Sequence, residues 1–148
     1  MSPNFKSHRT VVLDTNIVLD AFVFKDTATH ALLAALSCGN LRWLTTQAMR
    51  AELERVLSYP QIVKRLTLHQ IPAKDVLVQF DIHSNMVGMA AKACVTCKDP
   101  DDQKFIDLAV EHRAQLFSKD KAVLDMTKRL LDFGVIVQNA IKNTAQAF

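Results

Sequence analysis

Several acids in this sequence stand where an apolar core would ordinarily exclude them. Asp14 follows the β-branched run TVVL, where a buried strand would reach its end, and a carboxylate there is costly unless something compensates it. Asp120 stands just past LFS in the same manner. Asp102 is followed at spacings of three, four and seven by Phe105, Ile106 and Ala109, which places an acid on the buried stripe of a helix. In AMRAELERVL the apolar face runs through Met49, Leu53, Val56 and Leu57, with Glu52 and Glu54 on its two borders. Glu52 has small Ala48 beside it and room for a pocket, whereas Glu54 follows Arg50 by four and suits a surface pair, so Glu52 is the candidate.

Each acid also has a purely structural reading. Asp14 and Asp120 suit N-caps, and Asp102 suits a first-turn acid that complements a helix dipole. Asp99 before Pro100 has the form of an N-cap with Pro in the first turn, Asp107 falls on the opposite, solvated face, and Asp101 is intermediate. Four acids meeting at one strand edge would nevertheless repel, since like charges about 4 Å apart cost roughly 1 kcal/mol in water and about 4 at a protein surface. A cation is the natural counterweight. An all-oxygen site without His or Cys suits Mg²⁺ or Mn²⁺, which coordinate phosphate oxygens.

The elements that must position these acids read as alternating strands and helices. TVVLD is a strand, Thr27 through HALLAALSC a helix closed at Gly39, LRWLTT a strand, and TQAMRAELERVLSY a helix stopped by Pro60. PQIVKRL and PAKDVLVQFDIHS form a helical pair, and NMVGMAAKACVTC is open between strand and loop. From Pro100 a helix over DDQKFIDLAVEHRA leads to strand AQLFS, one helix over DKAVLDMTKRLLDF and a last strand VIVQ. The alternation predicts an α/β domain with a mostly parallel sheet, whose ligands bind at the carboxyl ends of the strands.

The chain of 148 residues is expected to be a single domain over 1–148, with a core of about 9–139 and a loose tail after Asn139. Its 49% hydrophobic and 22% charged residues are those of a globular protein. No apolar run reaches the roughly 18 residues of a membrane span, and MSPNFKSHRT lacks a secretory apolar centre, so a cytoplasmic location is expected. Cys38, Cys94 and Cys97 cannot all pair within one chain, and Cys94-Val-Thr-Cys97 is only half a zinc or redox motif. Five scattered His and three Gly exclude a His-based metal site and a Gly-rich phosphate loop.

A net charge of +3 is mild, so placement matters more than total. Lys98, Lys104, Lys119 and Lys121 lie close in sequence to the acids and are candidates for phosphate contacts, with Arg42, Arg50, Lys64, Arg65 and Arg113 more distant.

LDTN, AELERVL, DPDDQKFIDLA and SKD, in this order, resemble the PIN domain over nearly the whole chain. The likeness is closest to the bacterial toxin components of toxin–antitoxin pairs, the VapC-like ribonucleases. The resemblance implies a three-layer α/β/α fold with a mostly parallel sheet. It also implies Mg²⁺- or Mn²⁺-dependent endoribonuclease activity, a homodimer, and a small antitoxin protein that blocks the acidic pocket. Position by position, Asp14, Glu52, Asp102 and Asp120 match the family's acidic, metal-binding quartet. Asn16 matches the polar residue of its DTN motif, and Ser118 stands where the family has Thr or Ser before the last acid. Asp99 and Asp101 are positioned to assist, and Gln103 departs from the family's Asn. Two other readings remain: a receiver-like domain with its own acidic Mg²⁺ pocket, and a catalytically inactive PIN-like binding module.

Overall fold

A computed structural model describes residues 9–139; the tail expected after Asn139 lies outside the described residues. The chain begins with β1 (Thr10–Leu13), α1 (Thr15–Phe22) and a 3₁₀ turn (Thr27–Thr29) that runs into α2 (His30–Ser37). After β2 (Arg42–Thr45), three helices follow without a strand between them: α3 (Gln47–Val56), α4 (Pro60–His69) and α5 (Ala73–His83). The remainder is β3 (Ser84–Met86), a 3₁₀ turn (Pro100–Asp102), α6 (Gln103–His112), β4 (Gln115–Phe117), α7 (Lys121–Leu124), α8 (Thr127–Leu131) and β5 (Val137–Gln138).

The five strands form one all-parallel sheet in the order β3-β2-β1-β4-β5. Successive side chains of a strand point to opposite faces, and a parallel sheet buries both. Val11, Leu13, Trp43 and Phe117 accordingly join one core with Ile17, Leu53, Ile62 and Phe80 of α1, α3, α4 and α5. Val12, Leu44 and Leu116 join the other with Phe105, Ile106 and Leu108 of α6, Val123 and Leu130. The result is the three-layer α/β/α arrangement. Because β1 connects onward to β2 on one side and has β4 on the other, the sheet reverses its order there. Such a switch point opens a crevice at the carboxyl ends of the strands, where Asp14 and Asp120 stand.

Some elements differ from their sequence reading. TNIVLDAF, given no element from its sequence beyond the cap reading of Asp14, forms α1 directly after the acid, although β-branched Ile17 and Val18 are poor helix formers. The Asp14 side chain caps it, and Ile17 through Phe22 are all buried, so tertiary burial overrides propensity. The expected single helix over DKAVLDMTKRLLDF is two, with the Thr127 hydroxyl donating to the Leu124 carbonyl at 2.6 Å at the break; such bonds compete with the helical ladder. Of the open segment only Asn85 and Met86 are strand, joined by Ser84 from the end of the expected helix, and VIVQ narrows to Val137–Gln138.

The loop before Asp99 is tied to α6 rather than free. Gln103 accepts from the Cys97 amide at 2.6 Å and donates to the Val95 carbonyl at 2.9 Å, and Asp107 accepts from the Ala93 amide at 2.9 Å. Asp107, read as solvated, is thus half-buried against this loop, a placement that helical periodicity cannot foresee because the covering segment is not helical.

Candidate active site

Asp14 ends β1 and caps α1, its Oδ1 accepting from the amides of Asn16 at 3.0 Å and Ile17 at 3.2 Å. Its Oδ2 accepts from the hydroxyl of Ser118, which is fully buried just past β4. The Ser118 oxygen in turn accepts from the Asp120 amide at 3.0 Å, so one hydroxyl joins the ends of the two neighbouring strands. Asp120 caps α7 through the Ala122 amide at 2.9 Å, and Asp99 caps the 3₁₀ turn through the Asp101 amide at 2.9 Å.

Asp102 sits where that turn passes into α6 and is only 8% exposed. Among the described residues, its Oδ2 is the one buried side-chain oxygen or nitrogen without a hydrogen-bond partner. Carboxylate oxygens of Asp99, Asp102 and Asp120 lie within 4.8 Å of one another. Burial, a hydrogen bond with Asp120, and the charges of Asp120, Asp99 and Asp14 together hold the Asp102 carboxyl well above the usual carboxylate range. Burial also pushes Asp14 up to about 6, against the lowering effect of its bonds from Ser118, Ile17 and Asn16, with the charge of Asp120 adding to the rise. Burial and like-charged neighbours thus disfavour the ionised forms of Asp14 and Asp102. The cluster's all-oxygen donor set and the unpartnered Asp102 oxygen fit a hard divalent cation.

Glu52 belongs to a different arrangement. It is half-buried on α3, with Thr15 donating to Oε2 and the Lys104 ammonium paired with Oε1. Glu54 is exposed, and Arg50, read as its surface partner, pairs with Asp81 instead. A cleft of about 280 Å³ is lined by Asp14, Thr15, Asn16, Glu52 and Asp102, and by Val56, Tyr59, Gln61 and Ile62 from the α3–α4 junction. The structure therefore brings Asp102 and Asp120 together with Asp99, sets Asp14 beside them, and leaves Glu52 elsewhere on the cleft, bound to Lys104. Asn16 faces the cleft, while Asp101 is exposed and contributes its carbonyl to Lys104 at 2.7 Å.

The candidate phosphate-binding lysines are mostly engaged. Lys104 holds Glu52, Lys119 pairs with buried Asp20, and Lys121 pairs with Asp125 at 3.0 Å. Lys98 is exposed. Arg50 is likewise bound, bidentate to Asp81 at 2.9 Å. Of the cysteines, Cys38 and Cys94 are exposed and Cys97 is buried, all three as free thiols. Sequence reasoning did not single out Thr15, Asp20 or Tyr59. Thr15 lies inside LDTN and was open to notice, whereas Asp20 and Tyr59 carry no signal of spacing.

The PIN domain family profile matches residues 10–122, a span that contains every acid of the site. Among solved structures, the VapBC2 complex of Rickettsia felis bound to a DNA fragment from its promoter is similar at a TM-score of 0.61 and 16% identity, covering 88% of this chain and 98% of that one. A PilT N-terminus domain protein of Sulfolobus solfataricus is similar at a TM-score of 0.49 and 15% identity, covering 94% and 96%. No curated protein sequence gives a significant match. The profile match over most of the chain, with the acids gathered at the switch point of the sheet inside it, decides the family: the chain belongs to the PIN domain family.

Proposed function

We propose that this protein is a metal-dependent endoribonuclease, the toxin of a toxin–antitoxin pair, acting as one domain over residues 1–148. The observation that carries the reading is the buried, unpartnered Oδ2 of Asp102 beside the carboxylates of Asp99 and Asp120. An acid kept in that state is a cost to the fold, and use as a metal ligand offsets it. Asp99, Asp102 and Asp120 would hold Mg²⁺ or Mn²⁺, with Asp14 contributing from the end of β1. When bound, such an ion polarises a phosphate and lowers the pKa of water.

The protein's own groups have separate tasks. Ser118 orients Asp14 and, through the Asp120 amide, keeps the two strand ends in register. The amides of Asn16 and Ile17 fix the other oxygen of Asp14. Lys104 and Thr15 each engage one carboxylate oxygen of Glu52 on the cleft wall. In-line attack of water on phosphorus, with the 3′ oxygen leaving, yields a 3′-hydroxyl and a 5′-phosphate.

The antitoxin and the homodimer rest on the sequence resemblance, and a cytoplasmic location rests on the apolar patterning and the unpaired cysteine count. Among the described residues no helix is long and apolar enough to cross a membrane. A receiver-like reading has no support from a PIN profile that spans the site. An inactive binding module is separated by one experiment: purified protein with single-stranded RNA, in Mg²⁺ or Mn²⁺ and again in EDTA. Cleavage that stops on chelation supports the nuclease; binding without cleavage under any metal supports the module.

A further inference from the structure

The cleft has a wall that the metal chemistry does not use. Glu52 and Val56, four residues apart on α3, and Tyr59, the extended residue that caps the start of α4, all line the cleft. Tyr59 is the only tyrosine of the chain and is 40% exposed. Among the described residues its hydroxyl makes no hydrogen bond, and neither does the side-chain amide of Gln61 on the same wall. An aromatic ring half in water beside apolar Val56 and Ile62, continuous with an acidic pocket, is poor packing for a core and a good fit for a flat aromatic ligand.

Resting on the nuclease reading above, we infer that this wall is a nucleobase subsite for single-stranded RNA, with Tyr59 as its stacking platform. The base stacks on the Tyr59 ring while the Gln61 amide faces the base edge, and the strand's phosphate reaches the acids. Proteins take single-stranded RNA by this combination of aromatic stacking and amide contact, and a base paired in a duplex cannot present its face. With about 280 Å³ the cleft is smaller than most drug-sized sites, which suits one unstacked nucleotide. Tyr59 thereby selects unpaired RNA over duplex.

The test uses the full-length protein carrying Asp102→Asn, so that the strand stays intact, with Mg²⁺ and a short oligouridylate containing one fluorescent adenine analogue. Stacking on Tyr59 quenches the probe. Tyr59→Ala and Tyr59→Leu should both lose the quench and bind about tenfold more weakly, Tyr59→Phe should keep both, and the salt slope should stay the same in all. Tyr59→Leu keeps the bulk of the side chain, so a folding defect in the alanine variant would not mask the result. Should the parent chain cleave RNA while the leucine variant binds and quenches as its Asp102→Asn parent does, the subsite is overturned and the wall becomes a surface for a protein partner. Should the parent neither cleave RNA nor quench the probe in the Asp102→Asn form, the nuclease reading falls together with it.

Discussion

Lys104 pairs with Glu52 across the gap between α6 and α3, and with Thr15 on its other oxygen Glu52 has both carboxylate atoms engaged. Asp102, two residues before that lysine, keeps one oxygen bare. The acids of the cleft are therefore of two kinds, one already neutralised by a side chain and one awaiting a cation. Lys104→Gln should release Glu52 into the field of the other acids. In EDTA the variant should melt lower, by about 1 kcal/mol of stability, and excess Mn²⁺ should raise its melting temperature more than it raises the parent's. Melts unaffected by the change, with an RNA salt slope reduced by about 0.7, would instead make Lys104 a phosphate contact.

Asp102→Asn sets the metal-ligand reading against a helix-dipole role. A first-turn acid that serves only the dipole would lose roughly 0.3–1 kcal/mol on neutralisation, with or without metal. A member of a crowded acid cluster should be as stable as the parent or more so in EDTA, because repulsion is relieved. The variant should then respond little to Mg²⁺ while the parent is stabilised by mass action. Thermal melts of both proteins in EDTA and in excess Mg²⁺ give the sign directly.

The pH dependence of the metal-free protein has a definite direction. Asp14 is raised from 3.8 to about 6 and Asp102 is raised further, so the folded state keeps protons that the unfolded chain releases. That stability is fully present below pH of about 4 and is lost as pH rises through the folded values. For Asp14 the gap corresponds to about 3 kcal/mol at 1.36 kcal/mol per unit. Denaturant midpoints in EDTA should fall between pH 5 and 8, and excess Mg²⁺ should flatten the fall. A midpoint that climbs over that range in EDTA contradicts the electrostatics of the cluster.

Ser118→Ala removes the hydroxyl that serves Asp14 and the Asp120 amide together. Leaving both groups short of a partner should cost about 1–3 kcal/mol, measured by denaturant unfolding. The Ser118 bond is the largest effect lowering the Asp14 pKa, so the acid limb of the cleavage profile should move to higher pH. Ser118→Thr, which keeps the hydroxyl, should recover that limb even where the added methyl lowers stability.

Lys119 was a candidate for phosphate contact, but its pairing with buried Asp20 gives it structural work between α1 and the loop that carries Asp120. Lys119→Met should lower stability by about 1–3 kcal/mol by leaving a buried carboxylate unpaired. Adding Asp20→Asn should restore much of the loss. A salt slope for RNA that drops in Lys119→Met, with stability unchanged, would return the residue to the RNA path.

The α/β class, the parallel sheet and the positions of Asp14 and Asp120 at strand ends were legible because they are local: an apolar β-branched run closes on an acid, and the acid cannot enter the core. Glu52 lines the cleft as its place on the border of the apolar face allows, but the surface pair read for Glu54 and Arg50 is replaced by Arg50 with Asp81, a partner from another helix that spacing cannot reveal. α1 was not legible, since Ile17 and Val18 favour a strand until Ile17 through Phe22 are buried against the sheet. Nor was the company each acid keeps. Asp99 read by its spacing as a cap, with an assisting role only from the resemblance, and lies with Asp102 and Asp120; Lys104 read as a phosphate contact and holds Glu52; Ser118 spans to Asp14 because β4 lies directly beside β1, ahead of β5 and opposite β2. Periodicity states which face of an element a residue occupies. Which groups meet across elements depends on strand order and register, and those are decided only when the whole sheet packs between its two helical layers.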